Sequence, residues 1–238
     1  MQAHAVGAML RARAAEAPDR RALAFPAGRD DAGQPTWSWL TYAELDALAD
    51  RFASGFAATG LKAGDRTLLL LKPSHDFYGV IFGLLRLGAI PVLLDPRMGI
   101  RPLLACIAHT RPTAIVAIPP VHVVRLLARG TFATVTQVYT AGRRLFWGGH
   151  TLDEVKAAGD APFSGPELRA EDEAAIVFTS GSTGTPKGVS YRHGGFTAAA
   201  RYIQTMYGLT PPTTIVECFA PFAVFDLSGL DIAWSLRK

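Results

Sequence analysis

A chain of 238 residues, 49% hydrophobic and 18% charged, is long enough to bury a sizeable core and too apolar to stay disordered. Its 23 glycines and 16 prolines follow no fixed period, which excludes a collagen-like rod or a repeat array. The net charge of +4 is spread out. The nearest approaches to a basic run are Asp19-Arg20-Arg21 and Arg143-Arg144, too sparse for a nucleic-acid-binding stripe, whereas mild basicity suits a small anionic ligand. Cys106 and Cys218 sit in apolar stretches with no CxxC spacing, which predicts two buried thiols in a reducing compartment and no structural metal.

In chain order, residues 5–17 read as a helix that ends before Ala17-Pro18-Asp19. Arg21 to Phe25 is a short strand, Gly28 to Gln34 a polar turn, and Trp37 to Leu40 a second strand. Thr41, with Glu44 three residues on, forms a capping box for a helix whose Leu45, Leu48, Ala49 and Phe52 hold helical spacing, with Gly60 past its end. Thr67 to Leu71 reads as a buried strand. Ser74 starts a helix through Leu87, and Gly88 is its C-cap. Ile90 to Leu94 is a strand that stops at Asp95-Pro96. Helix (Leu103 to His109), strand (Ala114 to Ile118), helix (Val121 to Ala128) and strand (Val135 to Tyr139) follow. Residues 142–170 read as a long irregular connection. This alternation predicts an α/β fold with mostly parallel sheet and helices on both faces.

The longest apolar stretch, Phe77 to Leu94, is divided by Arg86 and by Gly88-Ala89-Ile90-Pro91. Each half is too short for a membrane span. With no signal-peptide pattern at the N-terminus, the expected location is the cytoplasm.

The chemistry concentrates after one more predicted strand, Ala174 to Phe178, in Thr179-Ser180-Gly181-Ser182-Thr183-Gly184-Thr185-Pro186-Lys187-Gly188. Glycines let backbone N–H groups converge, hydroxyls add short donors, and the lysine adds a point charge. Together they form a nest for a polyanion such as a triphosphate. The Walker A pattern fails because Pro186 precedes Lys187 and Gly188 follows it. The dinucleotide pattern GxGxxG fails because Gly181 and Gly184 are three apart, and no GxSxG elbow occurs.

This ten-residue run resembles the signature loop of the adenylate-forming (AMP-binding) superfamily, which includes acyl-CoA synthetases, peptide-synthetase adenylation domains and luciferases. Leu40-Thr41-Tyr42-Ala43-Glu44-Leu45, Leu61-Lys62-Ala63-Gly64-Asp65-Arg66 and the stretch from Leu85 to Pro96 are similar to earlier motifs of the same family. The resemblance implies an enzyme that joins a carboxylic acid to the α-phosphate of ATP with Mg²⁺ and releases pyrophosphate. A thiol such as coenzyme A, or another nucleophile, then attacks the acyl-adenylate. It also implies that Thr179, Ser180, Gly181, Ser182, Thr183, Gly184 and Lys187 hold the phosphates, with Thr183 and Lys187 in catalytic roles. Metal ligands are not identified.

Two cues bear on the acid. Asp95-Pro96-Arg97-Met98-Gly99, Ser190-Tyr191-Arg192-His193 and the segment from Cys218 to Phe225 resemble a fatty-acid-related branch. That branch includes the synthetases of bacterial olefin biosynthesis, which activate long-chain β-hydroxy acids and close them to β-lactones. Phe225-Asp226-Leu227-Ser228 resembles instead the FDxS motif of amino-acid adenylation domains, whose Asp pairs with the substrate ammonium. Asp226 also reads as a helix N-cap. His193 reads first as a packing residue and second as a pocket residue, and Phe222 and Asp226 join it as candidate substrate contacts. The 238 residues hold no Tyr-Gly-x-Thr-Glu segment, no later Thr-Gly-Asp and no lid-domain lysine. The expectation is therefore a partial large N-terminal domain over residues 1–238, without the C-terminal lid and not competent alone. An exposed sheet edge and poor solubility follow from that expectation.

Overall fold

The computed structural model describes residues 5–160, 162–179 and 187–206. The chain opens with helix α1 (Val6–Glu16) and a two-stranded antiparallel ribbon, β1 (Arg21–Arg29) and β2 (Pro35–Thr41). The ribbon stands apart from the main sheet. Its first strand runs on to Arg29, past the expected stop, because the pairing shifts register between Pro26 and Gly28 and absorbs the missing proline N–H. The turn is therefore Asp30 to Gln34, where the Asp30 carboxylate accepts from the N–H groups of Ala32 and Gln34 at 3.0 and 2.8 Å.

Then come α2 (Tyr42–Ala58), β3 (Arg66–Leu70), α3 (His75–Leu87), β4 (Ile90–Leu93), a 3₁₀ turn (Pro96–Met98), α4 (Ile100–Thr110), β5 (Ala114–Ala117), α5 (Pro119–Leu127) and β6 (Gln137–Thr140). The expected caps form. Thr41 and Glu44 make a complete capping box, the Ser74 hydroxyl accepts from the Phe77 N–H at 3.2 Å, and Gly88 is left-handed at φ 78°. The stretch read as irregular contains two further elements, β7 (His150–Thr151) and α6 (Leu152–Ala158). A second capping box, Thr151 with Glu154, starts this short helix.

The main sheet has the order β7-β6-β5-β3-β4-β8-β9, with β8 (Glu173–Thr179) and β9 (Lys187–Arg192) entering last. Every neighbouring pair is parallel except β8 with β9. Alternate strand residues divide between two cores, as a pleat of period two requires. Leu69, Leu93, Val116 and Val177 face α1, α2, α3 and α6. Leu68, Leu70, Val92, Ile115, Ile176 and Phe178 face the other way, toward α4.

The first core is closed tightly. Gly79 and Gly83 of α3 lie against α2, where a Cβ on Gly83 would stand 2.7 Å from Phe52 Cβ and one on Gly79 2.7 Å from Leu48 Cγ. Glycine is what allows the two helices this approach. Arg86, which interrupts the apolar run, turns into the same interface. Its guanidinium pairs with Asp50 at 2.6 Å and with Asp46, donates to the Asp46 carbonyl at 2.8 Å, and reaches Gly7 of α1. Arg11 of α1 pairs with the same Asp50. One buried carboxylate thus joins three helices.

Candidate functional site

Because β8 is parallel to β4, through Val92↔Ile176 and Leu93↔Val177, it ends on the same edge of the sheet as β3, β4 and β5. In an open parallel sheet, ligands bind outside that carboxyl edge. The signature residues begin there. Thr179 is the last residue of β8 and pairs across the ladder with Lys187, the first of β9. The two ends of the motif are thus held side by side, and Lys187 is exposed. Among the described residues Lys187 makes no ion pair. Ser180, Gly181, Ser182, Thr183 and Gly184 lie between them, outside the described residues, as do Phe222 and Asp226.

The glycine that follows Lys187 has a packing reason. A Cβ on Gly188 would meet the Phe178 ring at 2.8 Å, so the aromatic ring lies across the backbone of its cross-strand partner. Phe178 is buried in the second core. The hairpin that carries the motif is therefore anchored from beneath by a side chain immediately before it. Behind the motif, the Ser190 hydroxyl donates to the Glu173 carboxylate, tying β9 to the start of β8.

His193 opens α7 (His193–Met206), which, like β9, had no counterpart among the elements expected from sequence. Its backbone N–H donates to the Asp172 carbonyl at 3.1 Å, and the next one, of Gly194, donates to Ala170 at 2.9 Å. The ring is 1% exposed, and its Nδ1 accepts the Val6 N–H at 3.4 Å. Burial pushes the imidazole pKa down, opposed by the Asp172 carboxylate. A neutral ring with an accepting nitrogen is what this contact with α1 needs. The geometry thus gives His193 a packing role between the first helix and the last described one.

Between β4 and α4, Asp95 shapes the same sheet edge. Its carboxylate accepts from the Arg97 N–H at 2.8 Å and pairs with the Arg97 guanidinium at 3.0 Å. Burial works to raise its pKa, but the hydrogen bonds from Arg97 outweigh burial and hold it low. The Asp-Pro-Arg segment therefore forms a fixed, internally neutralised turn beside the motif-bearing strand. Cys106 is buried in the second core as a free thiol, with its pKa pushed up by burial.

Lys187, exposed at the carboxyl edge and without an ion pair among the described residues, fits a polyphosphate. Mg²⁺ is a different matter. Among the described residues no group of three or more His, Cys, Asp or Glu could hold a metal ion, and no step can be assigned to one. No helix among the described residues is long and apolar enough to cross a membrane.

Comparison with known proteins gives the family and the fold. The model of a family described as "AMP-binding enzyme" matches residues 10–238. An olefin β-lactone synthetase of Stenotrophomonas maltophilia is 41% identical over 227 residues, 93% of this chain and 40% of that protein. One from Xanthomonas campestris pv. campestris is 39% identical over 223 residues, with the same coverage of 93% and 40%. The chain thus spans about 40% of the length of these curated relatives. A long-chain-fatty-acid–CoA ligase structure from Archaeoglobus fulgidus superposes with a TM-score of 0.82 at 22% identity, over 98% of this chain and 45% of that one, a likeness of fold.

Proposed function

The chain belongs to the AMP-binding enzyme family, and from that premise we propose that it supplies the phosphate-holding part of a ligase that activates a long-chain β-hydroxy or fatty acid. The acid's carboxylate oxygen attacks the α-phosphorus of ATP. A new O–P bond forms, the bond to the β-phosphate bridge breaks, and pyrophosphate leaves. The observation that carries this reading is the Thr179–Lys187 pair at the carboxyl edge, which closes the base of a run of small hydroxyl and glycine residues. Lys187 would neutralise charge on the departing phosphates, and Thr179, Ser180, Gly181, Ser182, Thr183 and Gly184 would donate to them. Positioning and preorganised charge are the main terms in such phosphoryl chemistry.

The choice of acid rests on the two olefin β-lactone synthetases at 41% and 39% identity, against 30% for a long-chain-fatty-acid–CoA ligase of Mycobacterium tuberculosis. With a β-hydroxy acid, the substrate's own hydroxyl would attack the acyl-adenylate carbonyl. It would lose its proton, release AMP and close a four-membered lactone. Coenzyme A is the acceptor in the competing reading. We further propose that these residues form part of the large N-terminal domain, that the reaction needs the remainder of that fold and its Mg²⁺ ligands, and that it runs in the cytoplasm.

The test joins this chain to the remaining portion of the Stenotrophomonas relative and offers 3-hydroxy acids, fatty acids and amino acids with ATP. Products are identified by mass spectrometry with and without coenzyme A, and the 238-residue chain is assayed alongside. We expect acyl-adenylate and lactone from long-chain 3-hydroxy acids in the joined protein and no turnover by the chain alone. Adenylates of amino acids only, or robust turnover by the chain alone, would contradict the proposal.

A further inference from the structure

Packing at the carboxyl edge of the sheet is not closed. Beneath α4 and α5, at the ends of β3, β4 and β5, lies a cavity of about 180 Å³. Its walls draw on both cores: Leu70, Leu104, Ile107, Val121 and Phe132 on the side of the second, Phe77 and Leu93 from the first. Interiors are ordinarily packed as densely as organic crystals, with few voids larger than a water molecule. An apolar pocket of this size, open to solvent on one side, accepts apolar guests, as engineered cavities of about 150 Å³ accept benzene.

Three features make this more than loose packing. The strand order places it at the crossover point of the sheet. From β3 the chain moves to β4 on one side, then crosses back to β5 on the other. Crevices at such points are where open α/β sheets take ligands. The cavity is also on the carboxyl edge that bears the Thr179–Lys187 pair, two strands from β8, roughly 10 Å at ordinary strand spacing. Finally, one charged residue lines it, Lys72, which is exposed at the rim. No carboxylate lines it, and the nearby Asp95 is engaged by Arg97.

We propose that this cavity is a binding site for a small amphiphilic anion, a medium-chain carboxylate of octanoate size, with its alkyl end among Leu104, Ile107 and Phe132 and its carboxylate at Lys72. The site is separate from the signature motif. Its occupancy is read by binding, so it stands or falls independently of the ligase reading.

The experiment titrates octanoate and, in parallel, 1-octanol into the 238-residue protein, following methyl NMR shifts of Ile100, Ile107 and Ile118. Two variants close the space by different routes: Val121→Phe fills it from within, and Ile100→Trp, on a half-exposed residue, blocks the mouth with little risk to folding. Lys72→Gln removes the charge. We expect saturable one-to-one octanoate binding that weakens by about tenfold or more in either closing variant, as loss of an apolar site requires. Lys72→Gln should weaken octanoate by about threefold, the range of an exposed ion pair, and leave octanol unchanged. Octanoate that fails to saturate, or that binds both closing variants as it binds the parent, would overturn the site. Equal binding of octanoate to the Lys72→Gln variant would overturn its anionic character.

Discussion

The two faces of the main sheet are built on opposite terms. The face under α1, α2, α3 and α6 is closed, with glycines at the helix crossing, a buried arginine of α3 tied to α1 and α2, and Phe52 stacked on Phe56, which meets Tyr139 edge-on. The face under α4 and α5 leaves a cavity, and Leu127 stands 83% exposed at the end of α5. The closed face fixes the strands in register, and the carboxyl edge with its adjoining cavity is the proposed place for ligands. The closed face should therefore carry most of the stability, and substitutions should sort accordingly.

The largest effect is expected on the closed face. Asp50→Ala strips a buried carboxylate from both Arg86 and Arg11. Urea denaturation should show a loss of about 3 kcal/mol, the lower end for breaking a buried pair because Asp46 remains on Arg86. Gly83→Val forces a branched side chain against Phe52 and the Ala53 backbone and should cost about 1–3 kcal/mol by the same measurement.

A pH effect sharpens the comparison. Burial lowers the pKa of His122, with the nearby Arg125 charge adding to it, and burial likewise lowers that of His193. Below about pH 6.5 the unfolded chain therefore binds more protons than the folded one. Stability is complete above that value and falls as the pH drops toward 5. Unfolding free energies at a series of pH values should show the fall, and His193→Gln, which keeps an acceptor for Val6, should reduce the slope. On the open face, Leu127→Gln should move stability by no more than about 0.5 kcal/mol. A loss as large as that of Gly83→Val would erase the distinction between the faces.

What the sequence disclosed was local. The Thr41–Glu44 box, the Ser74 cap and the Gly88 turn depend on residues a few positions apart, and each forms as read. The α/β alternation was legible for the same reason. The short helix α6 carried a readable capping box, Thr151 with Glu154, but only one turn or so of apolar pattern to support it. The remainder depends on distant partners. Arg86 looked like a break in an apolar run until Asp46 and Asp50, some forty residues away, met it. The strand read as Arg21 to Phe25 runs on past Pro26 because β2 supplies a shifted register. The reading of residues 179–188 as a nest came from residue types alone, and residues 180–186 lie outside the described ones. That Thr179 and Lys187 face each other across a ladder was not legible, because β9 is short, mostly exposed, and carries only Val189 and Tyr191 as apolar residues.

The most direct test of the account is ATP–pyrophosphate exchange by the joined protein, comparing the parent with Lys187→Ala in the presence of a long-chain 3-hydroxy acid. The account predicts acid-dependent exchange that drops by about tenfold or more in the variant, as removal of a charge from transferring phosphates requires. The folding stability of the variant should match the parent, since Lys187 is exposed and makes no ion pair among the described residues. Exchange that is undiminished in Lys187→Ala would contradict the assignment of this edge of the sheet to the phosphates.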